Sequence, residues 1–129
     1  MNFSEDFKNG ESLLRGISKN PDCWKNDADR PSSAAFKDSN GLSVNRTGEN
    51  RKNYDESFEL LKTTEIKGET FRAISEVSLE FCVELGVYLK YSPLDNNIYH
   101  SEIHKSQTVA LLTKSIARKL SENCMTIKI

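Results

Sequence analysis

The stretch from Arg30 to Arg46, RPSSAAFKDSNGLSVNR, has too few apolar side chains to be ordinary core, and so dictates where the rest of the chain must bury itself. It is dense in hydroxyls and carries an arginine at each end. We read it as one wall of a polar cleft. Arg15 on one side and His100-Ser101-Glu102-Ile103-His104 on the other are expected to complete that cleft.

The core must then come mainly from the second half of the chain, where the apolar residues cluster. Val87–Tyr91 is the clearest strand, ended by Pro93. Phe71–Val77 alternates with period two and predicts another. Ser78 is expected to cap a helix over 79–85, closed by Gly86 in the left-handed C-terminal position. Ile98–His104 follows an Asp95-Asn96-Asn97 turn as a further strand. Ser106 is expected to cap the strongest helix, with Val109, Leu112, Ile116 and Leu120 as its buried stripe and Arg118 and Lys119 in its last turn. Met125–Ile129 reads as a final strand.

Earlier in the chain, Ser12–Ile17 predicts a short strand with Arg15 inside its apolar run. Residues 21–30 are read as loop anchored by Trp24, Ser33–Phe36 as strand or helical turn, and Leu42–Val44 as strand. Residues 45–53 contain no apolar side chain and predict an exposed loop. Asp55 is placed as the cap of a helix carrying Tyr54, Phe58, Leu60 and Leu61. Residues 1–12 predict a frayed end or helical turn. The order of elements, without repeat or linker, gives a compact single α+β domain over residues 1–129, with a mixed or mainly antiparallel sheet and two or three helices.

Composition excludes several functions. With 18 basic against 19 acidic residues in 129, the net charge of −1 supplies no field for extended nucleic-acid binding. The 3 cysteines, Cys23, Cys82 and Cys124, are far apart and form no CxxC pair, so neither a zinc knuckle nor a dithiol redox motif is expected, and a reducing cytoplasmic location is the simple expectation. The first residues show no signal-peptide pattern. No apolar run approaches the ~20 residues of a membrane span. Walker A and GxGxxG loops are absent.

On a strand, His100, Glu102 and His104 share one face while Tyr99, Ser101 and Ile103 take the other. His100, directly after a turn, and Glu102 are the candidates for acid–base catalysis. The same trio contains the ligand types of a first-row metal site; the alternative is the solvent face of an edge strand, and no metal is assigned. Ser32, Ser33 and Ser43 can donate to phosphate or carboxylate oxygens, and Arg15, Arg30 or Arg46 can grip an anion bidentately. The plain alternative for Ser32 and Ser33 is the capping of a helical turn. A Ser-His-acid hydrolase has the residue types but not the nucleophile-elbow motif. Burying Arg15 would demand an acidic partner or an anionic ligand.

Leu14-Arg15-Gly16, Arg30-Pro31-Ser32-Ser33-Ala34-Ala35-Phe36, Gly41-Leu42-Ser43-Val44 and Asn96-Asn97-Ile98-Tyr99-His100 together resemble a pattern in small, uncharacterised bacterial proteins. The resemblance implies that these polar residues form a site. The chain is also faintly similar to ADP-ribosyltransferase-like folds, which place an arginine on an early strand, a serine on a later one and a polar catalytic residue on a third; Glu102 is the candidate for that last role. Two functions are expected from this reading. One is the binding or processing of a nucleotide or other phosphate-bearing ligand. The other is a non-catalytic interaction module, such as a subunit of a bacterial defence or toxin–antitoxin assembly, whose polar face meets a protein partner. Neither expectation involves a membrane, and no cofactor is assigned.

Overall fold

The computed structural model describes residues 7–129. Among the described residues are eight strands: β1 (Ser12–Ile17), β2 (Trp24–Lys25), β3 (Arg30–Pro31), β4 (Leu42–Arg46), β5 (Ala73–Ser78), β6 (Tyr88–Tyr91), β7 (His100–His104) and β8 (Met125–Lys128). Six of them form one antiparallel sheet in the order β6-β7-β4-β1-β5-β8, and β2 and β3 make a separate ribbon. The three helices are α1 (Tyr54–Thr63), α2 (Leu79–Leu85) and α3 (Lys114–Asn123). Among the described residues no helix is long and apolar enough to cross a membrane. The predicted fold class holds, with the sheet antiparallel throughout.

Alternation along the strands sorts side chains onto two faces. Leu13, Ile17, Val44, Ala73, Val77 and Ile103 face one layer, where they meet Cys82 of α2, Ala117 and Leu120 of α3, and Ala35 and Phe36. Leu14 and Ile74 face the other, where Leu61 of α1 covers them with Tyr54, Phe58 and Phe71. Of the frayed end or helical turn read at 1–12, Phe7 and Glu11 are buried and Ser12 opens β1, while residues 1–6 lie outside the described residues.

Several local expectations are corrected. Helix α3 starts at Lys114, capped by Thr113 Oγ1, which accepts from the Ile116 amide at 3.2 Å. Ser106 instead closes a tight turn, its Oγ accepting from the Thr108 and Val109 amides at 3.3 and 3.1 Å. A hydroxyl competes for local backbone donors in just this way outside helices, and Val109 is left largely exposed. Arg118 and Lys119 accordingly lie a turn before the helix end. Asp55 lies in the first turn of α1, beyond its N-cap Asn53; there its carboxylate meets the positive end of the helix dipole. Residues 45–53 are an exposed loop only in part: Asn45 and Arg46 belong to β4 and Asn45 and Thr47 are fully buried, while residues 49–52 are exposed and Glu49–Arg51 form a 3-10 turn. Ser33–Phe36 is also a 3-10 turn, while Trp24–Lys25 and Arg30–Pro31 pair within the segment read as loop. Ser78 and Gly86 bound α2 as predicted, with the Phe81 amide donating to Ser78 Oγ and Gly86 at φ 73°.

Candidate functional site

The site begins with a fault in the sheet. Strand β1 pairs with β5 over its whole length, from Ser12–Ser78 to Ile17–Ala73. With β4 it pairs only at Leu13–Arg46 and Leu14–Asn45, after which the two strands part. The Ser43 carbonyl points toward β1, because the alternate residue Arg46 sends its amide the other way, to Tyr99 of the β7 side. With the strands apart, that carbonyl would lack a ladder donor. Arg15 supplies one: its Nη1 donates to Ser43 O at 2.9 Å, and its Nε donates to Ala35 O at 3.0 Å.

A cleft of about 810 Å³ opens along this parting. Arg15, Ser43 and His100 all line it, together with Gly16, Asn45 and Asn97. Because the strands separate, its wall draws on both layers of the fold. Ala35, Asp38 and Cys23 come from one side, and Leu60, Leu61 and Phe71 from the other. Gly16 is required here for space: a Cβ would run into the Phe71 ring that closes over it. Lys19 and Lys67 add positive charge to the lining, against Asp38 and Glu69.

Arg15 has no carboxylate in salt-bridge contact among the described residues, and its Nη2 has no hydrogen-bond partner there. Burial pushes its guanidinium below the ordinary value, opposed by the charges of Asp38 and Cys23. An arginine remains charged through neutral pH, so the cleft holds a cation with donors to spare. Cys23 is not an activated thiol: burial raises it, and Arg15 offsets that in part.

His100 is held from both ends. Its Nδ1 lies 2.7 Å from the Ser92 carbonyl, and its Nε2 lies 3.3 Å from Ser43 Oγ. The register explains the pairing, since Asn45 sits opposite His100 and Ser43 opposite Glu102, which puts Ser43 diagonal to the imidazole on one face. Asn45 and Asn97, to which the sequence assigned no individual role, fix the surroundings. Asn97 Nδ2 donates to Asn45 Oδ1 at 2.8 Å, Asn45 Nδ2 donates to the Ser57 carbonyl at 3.1 Å, and the Tyr99 amide donates to Asn97 Oδ1 at 3.1 Å. A buried asparagine in a strand, flanked by a valine and an arginine, gives little sequence signal, because its partners lie far along the chain.

The other expected site residues lie elsewhere. Glu102 does share a face with His100 and His104, but its Oε1 is 2.7 Å from His104 Nε2 and neither lines the cleft. Arg46 forms a two-point ion pair with Glu11, at 2.6 and 2.9 Å, and stacks its guanidinium over Phe7 and Tyr91. Arg30 Nη1 donates to the Pro31 carbonyl and to Ser121 of α3 at 3.2–3.3 Å, joining the small ribbon to that helix. Ser32 precedes the Ser33–Phe36 turn and donates its hydroxyl to the Asp22 carbonyl, and Ser33 opens the turn itself. None of Arg30, Ser32, Ser33 and Arg46 lines the cleft. Among the described residues, no three His, Cys, Asp or Glu side chains gather as metal ligands would.

No family model matches the chain, and neither a curated protein nor a solved structure matches it.

Proposed function

We propose that this protein binds a nucleotide or other phosphate-bearing small molecule in the cleft between β1 and β4. The observation that carries the reading is the unpaired Nη2 of Arg15 beside Ser43 and His100 in one cleft. A guanidinium held by two carbonyls is preorganised, so a phosphate gains charge-assisted hydrogen bonds without ordering the side chain first. The apolar side of the cleft, with Leu60, Leu61 and Phe71, suits a flat or aliphatic body attached to the anion. The free cysteines accord with work in a reducing cytoplasm.

Calorimetric titration with ADP and with inorganic phosphate tests the reading. Arg15→Ala is expected to weaken ADP binding by about tenfold or more, the equivalent of one charge-assisted hydrogen bond. Arg15→Lys keeps the charge but cannot span both carbonyls, and should recover only part of the loss. Equal affinity in all three proteins, or no binding to the parent, overturns it.

A second reading, a module that binds a protein partner, is favoured by one feature. Strand β8 is an edge of the sheet and leaves Met125 77% and Ile127 50% exposed, a profile that suits strand addition by another chain. Under that reading, substitutions at Met125 and Ile127 abolish complex formation while Arg15→Ala leaves it intact.

A further inference from the structure

We propose that Ser43 is a nucleophile with His100 as its general base, and that the cleft hydrolyses a phosphate ester through a phosphoseryl intermediate. The inference rests on the reading of this cleft as a phosphate site and adds a reaction to it.

The argument starts from the Ser92 carbonyl, which can only accept. With Nδ1 of His100 at 2.7 Å from it, the imidazole proton must sit on Nδ1. In the neutral ring, Nε2 is then a lone pair, and it lies 3.3 Å from Ser43 Oγ. The hydroxyl donates to Nε2, the arrangement a base-activated serine requires. The orienting group is a backbone carbonyl in place of the usual carboxylate. It is itself fixed, because the Ser92 amide donates to His100 O at 3.1 Å.

Ser43 is exposed, but Leu42 and Val44 on either side are buried, which locks the backbone that carries it. Arg15 holds the Ser43 carbonyl and keeps Nη2 without a partner. Cations of this kind stabilise the charge on a transferring phosphoryl group.

In the first step Ser43 Oγ forms a bond to phosphorus and the bond from phosphorus to the leaving oxygen breaks. The serine proton passes to His100 Nε2 and from there to the leaving alkoxide. Water then attacks the phosphoserine and gives a proton to His100, and Ser43 Oγ departs and regains a proton, so that phosphate is released with the enzyme unchanged.

A fluorophosphonate probe tests the nucleophile without knowledge of the natural ester: Ser43 Oγ would bond to phosphorus, fluoride would leave, and His100 would take the proton. Peptide mapping of the folded full chain should find the adduct on Ser43 and none in Ser43→Ala. His100→Ala should label at least about a hundredfold more slowly, the lower end of what a general base contributes. Turnover of p-nitrophenyl phosphate should fall in parallel in both variants, with their melting curves checked against the parent. Absence of an adduct, an adduct on another serine, or an unchanged rate in His100→Ala overturns the proposal. ADP binding separates the two claims: if ADP binds and Ser43 stays unlabelled, only the nucleophile fails, whereas if the parent does not bind ADP the reading of the cleft fails as well.

Discussion

Three arginines in this chain show how one side chain takes three roles according to what surrounds it. Arg46 is locked to a buried carboxylate, Arg30 is a clip between ribbon and helix, and Arg15 is held by two carbonyls in the cleft with Nη2 left over. The Arg46 partner, Glu11, is the most heavily used carboxylate among the described residues. It accepts from Arg46 at two points, from the Gly48 amide at 2.9 Å and from the Lys8 amide at 2.8 Å, while only 2% exposed. Removing it strands a cation and two amides, so Glu11→Ala should cost about 3–5 kcal/mol in urea unfolding. The exposed pair Arg51–Glu76 should cost no more than about 1 kcal/mol when broken with Arg51→Ala. A Glu11→Ala cost below that of Arg51→Ala would refute this division. The sequence could rank neither, because Arg15, Arg30 and Arg46 look alike until the distant partner of each is known. Arg15 was distinguished only by its place inside an apolar run, and in the fold it lines the cleft.

At the scale of elements, local signals were reliable wherever one residue does the work. Ser78 and Gly86 bound α2, and alternation located β1, β4, β5, β6 and β7 within a residue or two. The failure at α3 has the same origin as the successes. Both Ser106 and Thr113 are hydroxyl residues ahead of an apolar stripe, and the choice between them is made by packing of Ala117 and Leu120 into the core. Thr113→Ala should therefore lower stability by about 1 kcal/mol, and Ser106→Ala by clearly less; equal costs would contradict the assignment. The parting of β1 from β4, which creates the cleft, was not legible at all. A split ladder depends on where two strands cease to face each other, and no residue in either strand announces it. The short ribbon of β2 and β3 was missed for a related reason, since two-residue strands carry no periodicity.

For the whole molecule, two buried groups tie stability to alkaline pH. Burial pushes the Cys82 thiol from an ordinary 9.0 up to about 12, and burial together with Glu56 pushes the Tyr99 phenol from 10.0 up to about 12. Above pH 9 the unfolded chain begins to release protons that the folded chain keeps. Stability should thus be complete below that point and decline as pH rises toward the folded values. Urea midpoints measured between about pH 8 and about pH 11 should fall, and Cys82→Ala should flatten the slope, at a cost in packing that is independent of pH. An identical slope in the variant would show that Cys82 is not the source. The sequence placed the core mainly in the second half of the chain, yet the larger core reaches from Phe7 to Leu120, and tethers the first described residues to the last helix.

The central claim is that Arg15, Ser43 and His100, separated in sequence, meet at one cleft that takes a phosphate-bearing ligand. Backbone amide shifts recorded by NMR during titration with ADP test it most directly. The account predicts saturable shifts concentrated at Arg15, Ser43, Asn45, Asn97 and His100, with Arg30 and Arg46 undisturbed. Shifts centred on Arg30 or Arg46, or none on any cleft residue at saturating ADP, would contradict it.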